Sequence, residues 1–264
     1  MLKSSRIGCV KYLNARPLIR GWAGDVDFDH PSALCNKLAA GELDLALVSS
    51  FEFLRNPTYR IVDDISISSA GPVYSVVVAH HGDISEIDEI QIDPASKTSG
   101  NLLRCLVAEL NLAPRLKRTM ASVISARCAR LLIGDQAIRF RQKHARKFHF
   151  WDLGEQWNKL VGLPFVYALW LIRPEVRDFK RLANRLRELR DENLANIDRL
   201  IAEEKGFNHD FCRRYYRENV RFSFGETEKA GLREFNKRCW DQRLLPREQL
   251  NAGARDLDLP LRRV

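Results

Sequence analysis

A chain of 264 residues with 45% hydrophobic and 29% charged content has room for one large domain or two lobes and the composition of a globular protein. No stretch approaches the ~20 consecutive apolar residues of a membrane-spanning helix. The start Met1-Leu2-Lys3-Ser4-Ser5-Arg6 lacks the apolar core and small-residue cleavage site of a secretory signal, so an intact N-terminus predicts a cytoplasmic protein.

Short apolar runs alternate with helical patterns from the beginning, which predicts an α/β protein. Ile7–Val10 reads as a strand, with Pro17 in the first turn of a following helix. Val26–Phe28 is a second strand, Pro31–Ala40 a helix closed by Gly41 at its C′ position, and Leu43–Val48 a third strand. The loops at Asn14 and at Ser49-Ser50 then lie at carboxyl ends of strands, where open α/β sheets hold ligands. Arg60–Ile65 and Val73–Ala79 are connecting strands. Glu89–Asp93 is a strand, followed by the polar turn Asp93-Pro94-Ala95-Ser96-Lys97-Thr98-Ser99. A helix comes next, with the apolar stripe Leu103, Leu106, Val107 and Leu110. Leu131–Ile133, Phe148–Leu153 and Phe165–Ile172 are further strands. The chain is then helical from Glu175 to Glu204, with Phe179, Leu182, Leu186 and Leu189 on one face, and mostly helical afterwards apart from strand-like Val220–Phe224. Two such units predict two lobes around a cleft, lobe one from residues 1–76 and 170–264 and lobe two from 77–169. The crossings fall near Val73–Ala79 and Phe165–Ile172, and the tail after Arg247 is loosely held.

Charge and cysteine usage narrow the chemistry. The net charge is +9, yet residues 1–100 hold 9 Lys+Arg against 13 Asp+Glu and the remainder 34 against 21. A basic half can bind nucleic acid. Here many of the charges alternate in sign along the helix after Pro174, the pattern of a solvated face, so no nucleic-acid partner is expected. Cys9, Cys35, Cys105, Cys128, Cys212 and Cys239 are scattered without a C-x-x-C pair. They predict buried, reduced thiols and no zinc site. His80-His81 reads as surface.

The turn before the predicted helix carries the main ligand signal. Ser96, Thr98 and Ser99 precede a helix N-terminus, whose free N–H groups and partial positive charge suit a carboxylate or phosphate. Simple N-capping is the alternative; a cap needs only one hydroxyl, so a cluster of three leaves the two readings evenly balanced. Asn14 is either a cap or a polar ligand contact, and Arg16 binds an anion or pairs with a local carboxylate. Ser49 and Ser50 carry the same ambiguity. There is no G-x-S-x-G elbow, H-E-x-x-H pair, Walker loop or Rossmann glycine fingerprint, so no cofactor and no metal are expected.

Tyr12-Leu13-Asn14-Ala15-Arg16-Pro17-Leu18 resembles the N-terminal signature of the chorismate dehydratase family of the futalosine route to menaquinone. In the same order follow segments similar to the family's: Gly41–Val48, Gly71-Pro72-Val73-Tyr74-Ser75-Val76, the Asp93–Ser99 turn, Ile133-Gly134-Asp135, Asp152-Leu153-Gly154 with Trp157, Gly162–Ala168, Phe224-Gly225-Glu226 and Gly231–Phe235. The resemblance runs from about residue 6 to 246. It implies a type II periplasmic-binding-protein-like fold with two α/β lobes around a central cleft, the C-terminal helices returning to the first lobe. It also implies a cofactor-free carbon–oxygen lyase making 3-[(1-carboxyvinyl)oxy]benzoate and water, with the substrate's own enolpyruvyl carboxylate as base. Asn14 and Ser75 would be catalytic. Tyr12, Arg16, Ser49, Ser50, Ser96, Thr98, Ser99, Gly134 and Asp135 would bind chorismate, although Asp93 and Asp135 also read as structural. Lys11 departs from the family's motif. No membrane partner is expected, and monomer and homodimer stay open. A non-catalytic anion-binding protein of the same fold and the related 1,4-dihydroxy-6-naphthoate synthase are the alternatives.

Overall fold

A computed structural model describes residues 5–93, 96–119 and 124–251. Met1 to Ser4, Pro94 and Ala95 of the polar turn, and the tail beyond Asn251 therefore lie outside the described residues.

The chain opens with β1 (Ile7–Cys9), a 3-10 segment (Leu13–Leu18), β2 (Val26–Phe28), α1 (Pro31–Ala40), β3 (Leu45–Ser49) and α2 (Ser50–Arg55). Next come β4 (Arg60–Ser69), β5 (Val76–His80), β6 (Glu89–Ile92), α3 (Lys97–Glu109), β7 (Arg115–Arg118), β8 (Cys128–Ile133), α4 (Gly134–His144), β9 (His149–Asp152), α5 (Leu153–Val161) and β10 (Phe165–Ile172). The helices α6 (Phe179–Ala195), α7 (Ile197–Ala202), α8 (His209–Arg214), a π-turn (Tyr215–Asn219), α9 (Glu226–Asp241) and α10 (Arg247–Asn251) follow. Among the described residues no helix is long and apolar enough to cross a membrane.

The described residues form two five-stranded sheets, in the orders β2-β1-β3-β10-β4 and β7-β6-β8-β5-β9. Each has three parallel strands at one side and an antiparallel strand fourth in line, β10 in the first and β5 in the second. These fourth strands are fed by the two crossings between lobes. Because β10 pairs along its length with β3 and β4, the boundary at residues 169 and 170 cuts through a strand of the first sheet. The return crossing lies instead at Gly162-Leu163-Pro164, where Gly162 closes α5 at φ 73°. The outward crossing lies before Val76, which already pairs with Ile133 in the second sheet.

Other differences from the sequence reading have local causes. Pro17 sits inside the 3-10 segment rather than opening a helix. There is no loop at Ser49-Ser50, since β3 passes directly into α2. The helical stretch after Pro174 breaks at Asn196 between α6 and α7. Leu110 caps α3 and is 41% exposed, so the stripe ends at Val107. Val220–Phe224 is no strand; a single bridge joins Arg221 to Ser68 of β4. The segment after Arg247 continues as α10 as far as Asn251. His80 is buried and opposes His149 across β5 and β9, so it is not a surface residue. Five cysteines are buried free thiols and Cys128 is half-buried.

The C-terminal helices do return to the first lobe. Asn193 of α6 donates to the carbonyls of Pro17 (3.0 Å) and Arg20 (2.8 Å), fixing the end of the 3-10 segment. Arg190 is buried and bonds the carboxylate of Asp64 (2.7 Å), a β4 residue held at φ 70° where the pairing with β10 shifts register. On its outer face α6 carries paired charges such as Arg185 with Glu188 and Glu192, and exposed pairs of this kind contribute little stability. α9 packs on β10 through Phe235, whose ring meets Phe165 at 4.8 Å and Trp157 at 6.1 Å.

That packing needs Gly231, because a Cβ there would stand 1.9 Å from the Pro164 carbonyl oxygen. Gly231→Ala must push α9 off the return crossing. The expected loss is ~3 kcal/mol, the upper end of ordinary overpacking, or roughly 6–12 °C in the melting temperature. Thermal unfolding of the variant checks this, and a melt within about 2 °C of the parent's would contradict it.

Candidate functional site

The cleft between the sheets holds about 650 Å³ of atom-free space, partly open to solvent, with Tyr12, Asn14, Ser49, Ile67, Ser75, Ser96, Lys97, Thr98, Ser99, Gly134 and Tyr167 on its wall. Its floor is set by the outward crossing. Tyr74 stands at φ 66°, a left-handed conformation that an aromatic residue adopts at a cost. The carboxylate of Asp152, at the end of β9, accepts the N–H groups of Val73 (3.0 Å) and Tyr74 (2.8 Å) as well as those of Gly154 and Glu155 at the start of α5. Arg141 reaches the same carboxylate at 3.4 Å and lies over the Tyr74 ring at 4.2 Å. Burial pushes the Asp152 carboxyl above its ordinary range, against these N–H groups and Arg141. With residues 73 and 74 so held, the buried Ser75 side chain lines the cavity.

Two further contacts tie the lobes together at the rim. Asp135, in the first turn of α4, accepts the Leu13 N–H at 2.7 Å. Burial raises its carboxyl too. It does not line the cavity, so its place is that of an anchor for the loop carrying Asn14 rather than of a ligand contact. On the opposite rim the Thr98 hydroxyl meets Ser49 Oγ and accepts the Phe51 N–H at 3.1 Å. A lobe-two side chain thereby satisfies a free N–H in the first turn of α2. Lys97 adds an ion pair to the buried Glu52 at 3.3 Å, which Arg55 also holds at 2.7 Å. Ser50 lies beside them but spends its hydroxyl on the Val166 carbonyl (2.7 Å) and is absent from the wall.

Of the residues singled out from sequence, Tyr12, Asn14, Ser49, Ser75, Ser96, Thr98, Ser99 and Gly134 come together on the cavity wall. Arg16 does not; it pairs with Glu204 on the outside of the loop, the local-carboxylate alternative. Gly134 has φ 58°, and a Cβ on it would come within 2.9 Å of the Tyr12 ring, so only glycine lets the lobes meet there. Burial and the nearby acids push the Tyr12 phenol up to about 12. Asn14 Oδ1 and Ser96 Oγ are buried and accept no hydrogen bond from the described residues. Among those residues the wall contains no carboxylate, imidazole or thiol, and Lys97 is its cationic side chain. No group of His, Cys, Asp and Glu suited to a metal occurs among them either.

Four participants escaped sequence reasoning. Lys97 stood inside the turn already noted but was passed over for its hydroxyl neighbours. Tyr167 is buried on β10, bonding Ser69 at 3.0 Å. Tyr215 donates to Ser75 Oγ at 2.7 Å, and Tyr216 donates to the Leu13 carbonyl at 2.9 Å. Both tyrosines come from the π-turn, about 140 to 200 residues away in sequence, where no periodicity marks them.

Removing the Asp152 carboxylate by Asp152→Ala leaves two crossing N–H groups and Arg141 without their acceptor. The expected loss is ~3–5 kcal/mol, as for other broken buried pairs, read as a fall of at least ~6 °C in the melting temperature. A fall below about 2 °C would show that the crossing is held by other contacts.

Comparison with known proteins adds the following. A family model described as menaquinone biosynthesis matches residues 5–241. The chain is 31% identical over 252 residues to a chorismate dehydratase of Thermus thermophilus, covering 87% of this chain and 93% of that protein. It is 24% identical over 230 residues to a chorismate dehydratase of Campylobacter jejuni, covering 86% and 90%. Among solved structures, protein AF1704 of Archaeoglobus fulgidus superposes with a TM-score of 0.68 at 19% identity, covering 91% of this chain and 98% of the other. The periplasmic aliphatic sulphonate binding protein SsuA of Escherichia coli superposes with a TM-score of 0.60 at 12% identity, covering 92% and 88%. At these identities the two structures speak for the fold alone, which is the type II periplasmic-binding-protein-like one.

Proposed function

The chain belongs to the menaquinone biosynthesis family, and from that premise we propose that it is a hydro-lyase removing water from chorismate, in the cytoplasm and as a monomer or homodimer, without nucleic-acid or membrane partners. The observation that carries the mechanism is the make-up of the cavity wall. It offers hydroxyls, an amide and one ammonium, and among its described residues no carboxylate or imidazole that could act as a base at neutral pH.

Chorismate supplies what the wall lacks. Its C3 hydrogen is vinylogously acidic, because the developing negative charge spreads through the C1=C2 bond to the ring carboxylate. The enolpyruvyl group on C3 carries a carboxylate of its own, within reach of that hydrogen. The hydroxyl on C4 lies on the same face as the C3 hydrogen, and its loss makes the ring aromatic. The protein's work is then to hold one conformer and stabilise charge as it develops.

The residues divide that work by position. Ser96, Lys97 and Ser99 at the α3 N-terminus suit a carboxylate, through a buried free hydroxyl, a cation and the helix's unpaired N–H groups. A cation there belongs on the ring carboxylate, where charge accumulates. The enolpyruvyl carboxylate must stay unpaired to remain basic, and the neutral end of the cavity around Asn14 and Ser75 leaves it so. Asn14, with a free buried acceptor, orients the reacting carbons, and Ser75 donates to the departing hydroxyl. Thr98 takes part through the latch to α2 rather than through a free hydroxyl.

The protein mixed with chorismate is expected to release the aromatic enol ether without added metal or nucleotide. Because burial holds the Tyr12 phenol up at about 12 and the substrate carboxylate is ionised throughout, kcat should be level between about pH 6 and 8, well above an ordinary carboxylate pKa. No product under conditions in which chorismate itself survives would end the lyase reading. A limb in kcat near pH 7 would point to a protein base instead. Asn14→Ala should lower kcat by ~100-fold, the size of effect on losing a preorganised polar group, whereas Ser96→Ala should mainly raise KM. Near-normal turnover in the Asn14 variant would leave that residue as a structural amide.

A further inference from the structure

The π-turn has no part in the chemistry described so far, yet its tyrosines bond Ser75 of the cavity wall and Leu13, the neighbour of Asn14. A π-turn is rare and widens the helix locally, often beside a functional site. Here it follows α8 directly and turns two consecutive side chains inward. The Tyr215 ring stacks on Phe211 at 5.6 Å, with planes 17° apart, and its hydroxyl donates to Ser75 Oγ at 2.7 Å. Tyr216 bonds the Leu13 carbonyl, the residue before Asn14. Ser75 is thus backed by Tyr215, which also neighbours Asn14, and the backbone next to Asn14 is held by Tyr216.

The bond to Ser75 has a direction. A serine oxygen offers two acceptor sites and one proton. Tyr215 occupies one acceptor site, and burial pushes its phenol far above the ordinary range, so it keeps at working pH the proton that it donates. The Ser75 proton is therefore free to point elsewhere. Its alternative acceptor among the described residues, the Val73 carbonyl, stands at 3.4 Å, long for a hydroxyl bond. The free direction is the cavity, which Ser75 lines.

We propose that Tyr215 is a positioning residue for the elimination, turning the Ser75 hydroxyl into an oriented, polarised donor toward the leaving hydroxyl on C4. The proposal rests on the dehydratase reading above. In the step, the C3–H bond breaks and its proton passes to the enolpyruvyl carboxylate, while its electron pair becomes the new ring π bond. The C4–O bond breaks with its pair on oxygen, and that oxygen leaves while accepting the Ser75 hydrogen bond. It takes up the proton held by the new carboxylic acid and departs as water, so the protein ends as it began. Donation by Tyr215 strengthens the Ser75 donor because chained hydrogen bonds polarise one another.

The test is a double-mutant cycle on chorismate turnover with Tyr215→Phe, Ser75→Ala and the pair. Phe keeps the stack on Phe211 and removes the donor alone. Tyr215→Phe is expected to lower kcat about 10-fold, the worth of one hydrogen bond in the transition state, with KM within about twofold of the parent's. In the Ser75→Ala background the same change should have no further effect, since its route to the substrate is gone. Two results overturn the proposal while leaving the dehydratase reading standing: unchanged kcat in Tyr215→Phe, or the same 10-fold loss with and without Ser75. Full turnover in Ser75→Ala also overturns it, by removing Ser75 from the step. A parent protein inert toward chorismate instead removes the dehydratase reading, and the proposal with it.

Discussion

A buried carboxylate, Asp152, governs how the chain passes from the first sheet to the second. It gathers four backbone N–H groups, two from the crossing and two from the start of α5. Taking a carboxylate out of water costs several kcal/mol, and the upward pressure on its carboxyl shows that the N–H groups do not fully offset that cost. What the fold obtains in exchange is geometry. Tyr74 is held left-handed, the crossing bends sharply, and Ser75 faces the cleft instead of following the β5 pleat. α5 starts from the same carboxylate, and Trp157 on it packs against Phe165 of the returning strand. Both passages between lobes are therefore referred to one side chain.

The acids near the cleft are spent in this way one after another. Asp152 serves the crossing, Asp135 the Leu13 N–H and Glu52 the pair Lys97 and Arg55. The wall that remains is neutral among its described residues apart from Lys97. A pocket of that kind is poor at abstracting protons and good at holding a dianion in one pose, because its donors are backbone-anchored hydroxyls that need little reorganisation. Such a wall suits a substrate that brings its own base. The wider basic excess of the chain does not reach the cavity; on α6 it is matched by acids at the surface.

Much of this was legible in the sequence, and the exceptions share a cause. The strand–helix alternation of the first 50 residues is carried by local periodicity and by Gly41, and it reappears nearly unchanged. The Ser96–Ser99 cluster was visible because a helix start makes hydroxyls meaningful. What could not be read is anything decided across the lobes. Arg16 has the same local sequence whether it faces a ligand or Glu204. Ser50 and Thr98 look alike as free hydroxyls until α2 is seen to begin at Ser50 and to need an acceptor for the Phe51 N–H. Strand β10 reads as a crossing because both its faces are apolar, and pairing with β3 and β4 is what makes it central. Tyr215 and Tyr216 lie in a π-turn that breaks the helical period, so their shared direction has no signature in spacing.

The make-up of the cavity also bears on release. Chorismate and its aromatic product carry the same two carboxylates, so the contacts proposed for Lys97 and the α3 N-terminus would not tell one from the other. The difference between them lies in the C4 hydroxyl and in the flattening of the ring. The hydroxyl is the group that Ser75 would bond in the proposed pose, and Ile67, Tyr167 and Tyr12 are the wall residues against which a flatter ring would pack. Interactions that strengthen only as the C4–O bond breaks are the ones that raise kcat, whereas those shared by both ground states merely set affinity. In the proposed pose the Lys97 end of the site therefore fixes where the molecule sits. In the same proposed pose the neutral end, built on the crossing and backed by the π-turn, is where substrate, transition state and product would be distinguished.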